Sequence, residues 1–380
     1  MKKKGVLLLA LTAAVLSGCR GDNSQIVSEN NNITVTVAVR SGEKESWETA
    51  TRKFFIENPE IRLKFIELGS EFEQYRLLTS ALSSGNCAFD AMEIEDALVK
   101  EFVDKSYLKP LQTAPPDAEN YIKTANEAFS DGGQWYAVPF QADIGMALTR
   151  NSYSGDIDFR AFAPETEGGE YSYTSQNLSD ETDVMGVLME MVAYTGDAAQ
   201  GLQLYKSIYK DNIQGKTNVK LFREGKLPLL RVWSSELKKY RSLKNGGSFE
   251  FLVSNLPKNA AGKEISTAKV FGMAISSLTA KDEQCEKFLE YCASREFQAE
   301  WVRDTGIYPI DKRLYDDAAI NSEWNHILPM KGRIENLQIR PSVKNYINKA
   351  DKLQSDMEEY LADDAYLGRV LQSYEDICGK

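Results

Sequence analysis

The chain has 380 residues, of which 42% are hydrophobic and 27% charged, a balance typical of a folded protein that neither spans a membrane nor stays disordered. Lys and Arg number 45 against 56 Asp and Glu, and the net charge of −11 disfavours nucleic-acid binding, which rewards clustered positive charge. A single histidine, His326, excludes metal sites built from several histidines, and phosphate-loop, dinucleotide-binding and nucleophile-elbow motifs are missing. We therefore expect no metal site, no cofactor and no catalytic residues.

The first residues predict an export signal. Lys2–Lys4 precede an apolar run from Val6 to Leu16, which is far shorter than the roughly 20 residues that span a bilayer. The run ends in Leu-Ser-Gly-Cys19, which resembles the bacterial lipobox, where the chain is cut before a cysteine that is then lipidated. We expect residues 1–18 to be a lipoprotein signal peptide and residues 19–32 a flexible tether, and removal of three lysines takes the net charge to −14. An ordinary signal peptide with a chance cysteine is the alternative.

The rest of the chain reads as strands alternating with helices. Apolar runs with strand periodicity predict strands at 33–39, 61–65, 89–94, 227–232, 249–253 and 269–275. Apolar residues at helical spacing predict helices at 47–54, 72–82, 180–194, 197–210, 233–243 and 281–293, and further helices in the last seventy residues. The first three strands, with helices between them, form a βαβ series, which favours a parallel sheet covered by helices.

Four cysteines follow Cys19. Cys285 and Cys292 lie seven residues apart in a helical pattern, about 10.5 Å along the helix axis. That spacing exceeds the roughly 7 Å limit between the Cα atoms of a disulfide, so buried core thiols are expected. Whether Cys87 and Cys378 pair with each other is left open by the sequence.

A series of short motifs resembles the extracellular solute-binding proteins of bacterial ABC importers, family 1, in particular the maltose- and trehalose-type sugar binders. In chain order they are Phe54–Ile61 (FFIENPEI), Phe89–Asp96 (FDAMEIED), Trp135–Pro139 with Asp143–Gly145, Phe222–Lys226 (FREGK), Phe271–Ile275 (FGMAI), Ser294–Gln298 (SREFQ), Gly306–Pro309 (GIYP) and Arg340-Pro341. Each motif is short, and the resemblance is carried by their shared order and spacing over nearly the whole mature chain.

The resemblance implies an α/β, two-lobed periplasmic-binding-protein fold of type II, in which each lobe has a mostly parallel sheet flanked by helices and the ligand cleft lies between the lobes. It implies that residues 33–142 and 269–310 form lobe 1, and that residues 143–268 and 311–380 form lobe 2. The implied function is that of a lipid-anchored, extracytoplasmic, monomeric solute-binding component of an ABC importer. Such a protein captures a sugar or oligosaccharide by lobe closure and delivers it to the permease subunits at the outer face of the membrane or in the periplasm.

Sugar recognition needs planar polar side chains for the hydroxyls and flat aromatic faces for the ring. The resemblance places nine suitable residues at the cleft: Arg40, Ser41, Asp96, Gln141, Asp143, Trp233, Phe271, Gly272 and Arg340. Simpler interpretations remain open for four of them. Asp96 could cap a helix, Trp233 could fill the core, Asp143 could brace the crossing between lobes, and Arg340 could pair with a surface carboxylate.

Two departures from the family pattern leave the ligand open. Ala97 and Leu98 follow the cleft aspartate where an aromatic residue is common, and Ala147–Thr149 replaces an aromatic pair after the crossing strand. The alternatives are a binder of the same fold for a non-sugar solute, a secreted glycosidase that uses two carboxylates, and a lipoprotein that acts as an adhesin or a sensor.

Overall fold

The computed structural model describes residues 32–69, 71–86, 88–150, 181–208, 215–226, 229–245 and 250–379. The predicted signal peptide, the predicted lipidation site at Cys19 and the thiol of Cys87 lie outside these ranges. Within them, no helix combines the length and the apolar character that crossing a membrane requires.

The strands of the described ranges agree with the sequence periodicity. They are β1 (Ile33–Arg40), β2 (Ile61–Leu68), β3 (Ala91–Glu95), β4 (Ser130–Asp131), β5 (Gln134–Trp135), β6 (Ala137–Thr149), β7 (Leu229–Trp233), β8 (Leu252–Asn255), β9 (Thr267–Ile275), β10 (Tyr308–Pro309) and β11 (Gln338–Ile339). All six predicted strands are present, and the strand predicted at 249–253 begins three residues later. Apolar and polar residues do not alternate regularly along the long crossing strand β6, because the strand is buried along its whole length.

The helices also follow the predicted pattern. They are Lys44–Ala50, Arg52–Glu57, Glu71–Ser83, Asp96–Asp104, Lys123–Ala128, Glu181–Thr195, Ala198–Ile208, Gly215–Arg223, Leu237–Asn245, Asp282–Ala293, Arg295–Thr305, Ala318–Glu323, Ile327–Met330, Tyr346–Ala362 and Leu367–Cys378. The helix predicted from residue 233 differs at its start. Trp233 ends β7, and a 3-10 turn over Ser234–Glu236 leads into the helix.

The strands form a mixed sheet in the order β2-β1-β3-β9-β6-β10. The predicted parallel βαβ series is confirmed, because β1 runs parallel to both β2 and β3. The sheet is mixed instead of mostly parallel, since β9 runs antiparallel to β3 and to β6. Residues 137–144 of β6 pair with β9, and residues 145–149 pair with β7 and β8. One strand therefore joins two groups of strands, as expected of a segment that crosses between lobes.

Helices cover both faces of this sheet. On one face, Val35, Val37 and Val39 point into an aromatic cluster. That cluster contains Trp47 and Trp301, whose ring centroids lie 4.7 Å apart, and Phe140, Phe288 and Phe297. The opposite face buries Ala38, Met92 and Ile94 in a second cluster that continues to β7 and the C-terminal helices. The strands β6 and β9 are thus packed against side chains on both faces.

The lobe boundaries stay a prediction, and the contacts of one segment bear on them. Residues 312–336 contact the first part of the fold: Trp324 Nε1 donates to the Arg303 oxygen at 3.0 Å, and the Lys123 amide donates to Glu335 at 3.2 Å. Beyond them, β11 pairs in parallel with the start of β9. Arg333 in the same segment donates to the Leu256 oxygen at 3.0 Å, so residues 312–336 contact both parts of the fold and the boundary at residue 311 stays a prediction.

The cysteine prediction is confirmed where the structure describes it. Cys285 and Cys292 are buried free thiols on one helix, and burial raises the pKa of Cys285 to about 12. Cys378 is also a free thiol.

Candidate functional site

Eight of the nine predicted binding residues are buried around the crossing strands β6 and β9. Arg40 ends β1, Asp96 follows β3, Gln141 and Asp143 lie on β6, Trp233 ends β7, Phe271 and Gly272 lie on β9, and Arg340 follows β11. The ninth, Ser41, is exposed. Because the carboxyl ends of β1 and β3 meet at one edge of the sheet, residues far apart in sequence are brought together there.

Arg40 organises the first half of this site. Its Nε donates to Oε1 of Glu93 at 2.8 Å, and its Nη2 contacts Glu43. The guanidinium carbon lies 3.5 Å from the ring centroid of Phe271, a cation–π contact that covers one face of the ring. The guanidinium of Arg40 therefore covers that face of the Phe271 ring.

Gln141 is held at both ends of its amide. Nε2 donates to Oε1 of Glu93 at 3.2 Å, and Oε1 accepts from Trp301 Nε1 at 2.7 Å. Since all three side chains are fully buried, Gln141 fixes the orientation of Glu93 toward Arg40.

Glu43 was not singled out from the sequence, although it follows Arg40 by three residues. Burial raises the pKa of its carboxyl well above the ordinary value; Arg40 opposes this, and the Glu93 and Asp143 charges add to it. The buried oxygen Oε2 has no hydrogen-bond partner among the described residues. A protonated carboxyl at this position can both donate and accept a hydrogen bond.

Asp96 and Arg340 form the second half of the site. Asp96 is fully buried, and its Oδ1 accepts from Arg340 Nη2 at 3.2 Å, while the same nitrogen also contacts Glu95. Burial raises the pKa of Asp96 despite the opposing charge of Arg340. In the part of the chain that the structure covers, Oδ2 of Asp96 is buried without a hydrogen-bond partner.

The simpler interpretations of these two residues are wrong. Asp96 is the first residue of its helix, and the N-cap position belongs to Glu95. Arg340 is 1% exposed, so its partners are buried carboxylates and not surface ones.

Asp143 is saturated by protein donors. Oδ1 accepts from the Ser234 hydroxyl at 2.8 Å and from the Ser235 amide at 2.9 Å, and Oδ2 accepts from the Ser235 hydroxyl at 2.6 Å. Lys269 Nζ lies 3.9 Å from Oδ2. This arrangement ties the turn after β7 to the crossing strand, which is the bracing role that the sequence left open.

Trp233 is packed between charged groups. The guanidinium carbon of Arg231 lies 3.8 Å from its ring centroid and Lys269 Nζ lies 4.4 Å from it. A Cβ on Gly186 would approach the ring within 2.8 Å, so the glycine makes room for the indole. Trp233 is 3% exposed. A sugar can stack on this ring only if a cation moves away.

A buried ion pair that the sequence did not reveal supports Trp233. Arg231 donates to Glu190 through Nε at 3.1 Å and through Nη2 at 2.7 Å, and the Thr267 hydroxyl donates to Glu190 at 2.8 Å. These contacts join β7, β9 and the helix Glu181–Thr195. A Cβ on Gly145 would lie 2.1 Å from Glu190 Oε1, so only glycine fits beside the pair.

Gly272 allows another group to approach the backbone closely, and that group is the ring of Phe129. A Cβ at residue 272 would lie 2.5 Å from Phe129 Cε1.

No group of three or more metal-ligating side chains occurs in the ranges described above.

Comparison with known families decides the assignment. Residues 50–327 match the model of the bacterial extracellular solute-binding proteins. The chain belongs to this family. A comparison with the curated proteins finds no match to this solute-binding protein.

Solved structures of the same fold are numerous. Maltose-bound MalE3 of T. maritima is 18% identical, with a TM-score of 0.75 over 90% of this chain and 99% of that one. The GacH receptor of Streptomyces glaucescens is 16% identical, with a TM-score of 0.75 over 90% and 96%. The sugar-binding protein MalE from Xanthomonas citri is 15% identical, with a TM-score of 0.73 over 90% and 97%. These likenesses confirm the predicted two-lobed α/β fold.

The buried charged groups of this solute-binding protein lie where the two groups of strands meet, a position that suits the binding of a solute. Among the described residues, Oε2 of Glu43, Oδ2 of Asp96 and Oε2 of Glu101 are buried carboxyl oxygens without a hydrogen-bond partner, and the first two belong to this site. Glu93, Glu43 and Glu190 were missed because a glutamate in or beside an amphipathic segment resembles a solvent-facing residue until its buried partner is known.

Proposed function

We propose that this protein is the solute-binding component of an ABC importer, that it captures a neutral sugar or oligosaccharide at the crossing strands, and that it passes the ligand unchanged to a permease. In this proposal Cys19 carries the lipid that holds the protein at the outer face of the membrane or in the periplasm. Family membership and the buried polar site at the crossing strands support it, and no step of covalent chemistry is required.

One observation carries the choice of ligand. Oε2 of Glu43 and Oδ2 of Asp96 are buried polar atoms that no described residue satisfies. An unsatisfied buried oxygen costs free energy, and a ligand hydroxyl that donates to it recovers that cost. A sugar offers several hydroxyls on one rigid ring, which suits it to donate to buried oxygens of this kind.

The charge balance of the site favours a neutral guest. Arg40, Lys269 and Arg340 already have carboxylate neighbours in Glu93, Asp143 and Asp96. A further buried charge would lack a counter-ion and carry a desolvation penalty. Relatives of the same fold were solved with maltose and in complex with acarbose, which agrees with a saccharide ligand.

The strands that carry the binding groups explain why a ligand would favour closure of the lobes. The site combines ends of β1 and β3 with β6, β7 and β9, and a ligand that contacts both groups of strands stabilises the closed state over the open one. The permease would then recognise the closed form.

The variant Asp96→Asn tests the proposal. Titration calorimetry with maltose, maltotriose and glucose should show binding to the unaltered protein and about tenfold or greater weakening in the variant, because a hydrogen bond to a charged group contributes about 1.5–3 kcal/mol. Asp104→Asn, at the exposed end of the same helix, is the matched control and should bind normally. Thermal melting of each variant without ligand shows whether it is folded.

Two further results would contradict the proposal. The first is a melting temperature that no saccharide raises while an amine such as spermidine raises it. The second is a saccharide recovered as shorter products, which would indicate an enzyme. The anchor is tested separately: Cys19→Ser should release the protein from membranes.

A further inference from the structure

A cavity of about 1050 Å³ lies beside β8, and none of the nine predicted binding residues lines it. One wall is β8 with residues 256–258 and the helix Leu237–Asn245, which are attached to the C-terminal half of β6. The other wall is formed by residues 322–333 and Tyr308, whose strand pairs with the N-terminal half of β6. Its volume is slightly above the range of about 300–1,000 Å³ for small-molecule pockets.

The central feature of this cavity is Arg241 stacked on Trp324. The guanidinium carbon lies 4.4 Å from the ring centroid of Trp324. The ring itself is fixed, because its Nε1 donates to the Arg303 oxygen at 3.0 Å and a Cβ on Gly306 would approach it within 2.7 Å. Arg241 lines the cavity, and over the described ranges its guanidinium forms no ion pair with a carboxylate.

The surroundings of Arg241 favour an anion. Lys258 and Arg333 also line the cavity, and both pair with the single carboxylate of Glu264, with Lys258 Nζ 3.1 Å from Oε1. Three cations therefore face the cavity with Glu264 and Glu323 as the carboxylates near them, an excess of positive charge in a chain of net charge −11. A basic recess in an acidic protein attracts small anions.

Polar groups that line the same cavity as Arg241 favour a ligand that carries hydroxyls as well as an oxyanion. The half-buried amide of Asn255 lines the cavity and makes no side-chain hydrogen bond to any described residue. The Ser254 hydroxyl lies 3.3 Å from that of Thr149 and has further capacity. Amide and hydroxyl groups next to an aromatic ring suit a hydroxylated ligand.

We propose that this cavity is a second binding site, in which Arg241 binds the oxyanion of a small hydroxylated solute, such as a sugar that carries a carboxylate or a phosphate. The guanidinium forms paired hydrogen bonds with the oxyanion, Trp324 holds the guanidinium plane in place, and Asn255 contacts the hydroxyls. The site is separate from the crossing-strand site, which the proposed function assigns to a neutral sugar.

Titration calorimetry with four probes tests the site: glucuronate, glucose 6-phosphate, inorganic phosphate and glucose. Binding of glucuronate or glucose 6-phosphate is expected, with glucose at least about tenfold weaker because it lacks the charge-assisted hydrogen bonds. Whether glucuronate or glucose 6-phosphate binds more tightly distinguishes a carboxylate from a phosphate ligand. Equal binding of inorganic phosphate would contradict the need for hydroxyls and overturn the proposal.

Variants locate the binding. Arg241→Gln should weaken the anionic sugar about tenfold or more, Arg241→Lys should retain part of the affinity, and Lys239→Gln, an exposed cation on the same helix, should change nothing. Arg241→Gln should leave maltose binding as it is, and thermal melting without ligand shows whether the variant is folded. The second site would be overturned if the anionic sugar does not bind the unaltered protein, or if it binds Arg241→Gln with normal affinity. It would also be overturned if binding of the anionic sugar is lost in Asp96→Asn instead. Absence of maltose binding alone would count only against the proposed function.

Discussion

Lowering the pH from 7 to 4 is expected to weaken the fold through one side chain, His326, the only histidine of the chain. Its Nε2 lies 2.8 Å from the backbone oxygen of Gly306. Burial is the main cause of a pKa lowered from 6.5 to about 4; the hydrogen bond with Gly306 opposes it, and the charge of Arg241 adds to it. The ring is therefore neutral in the folded protein at pH 7.

The sign of the effect follows from proton binding. In the unfolded chain the imidazole takes up a proton as the pH falls through about 6.5, whereas in the folded protein it does so only near pH 4. Between these values the unfolded state binds more protons, so the free energy of unfolding decreases as the pH falls through that window. At about 1.4 kcal/mol per pH unit, the loss amounts to about 3 kcal/mol by pH 4, below which this group adds no more.

Urea denaturation at several pH values between 7 and 4, on the protein and on His326→Gln, measures the loss. The stability difference between the two should change by about 3 kcal/mol across the window, since the carboxyl groups titrate in both proteins and cancel. Asn325→Ala, an exposed neighbour, is the control and should give a curve parallel to that of the unaltered protein. The lone histidine also gives one titrating ring signal in NMR spectra. A midpoint near 6.5, or parallel curves for His326→Gln, would refute the reasoning.

Two substitutions test the packing around the crossing strands by denaturant unfolding. Glu190→Gln should lower the free energy of unfolding by about 3–5 kcal/mol, because it removes one partner of the buried pair with Arg231; an unchanged midpoint would show that the pair is not buried. Gly272→Ala should cost about 1–3 kcal/mol through the contact with Phe129, and Phe129→Leu in the same background should recover part of that loss. No recovery in the double variant would place the strain elsewhere.

The regular elements could be predicted because their signal is local. Alternating apolar residues in 33–39 and 61–65 and helical spacing in 72–82 gave β1, β2 and the helix Glu71–Ser83. The boundary at Trp233 was misplaced because aromatic residues suit both a strand end and a first helical turn. What decided it was the pairing of Trp233 with Gly145 across the sheet, a contact that periodicity does not contain.

The partners within the site were not predictable, since each joins distant segments. Glu93 alternates with Met92 and Ile94 in a strand, and this pattern predicts a solvent-facing side chain. It is fully buried because Arg40 and Gln141 neutralise and bind it from two other strands. The family resemblance predicted Arg40 and Gln141 as site residues, but the carboxylate between them became visible only in three dimensions.

In the proposed function, Arg40 would link ligand entry to the charge network. Its guanidinium carbon lies 3.5 Å from the ring centroid of Phe271, in the position that a stacked sugar ring would take. A ligand that uses this face of the ring therefore has to displace the guanidinium. The same side chain contacts Glu93 and Glu43, and moving it frees carboxyl oxygens at the moment when ligand hydroxyls arrive. A neutral polyhydroxylated ring therefore fits this site better than an apolar solute, which could take the ring face but would leave the carboxyl groups unsatisfied.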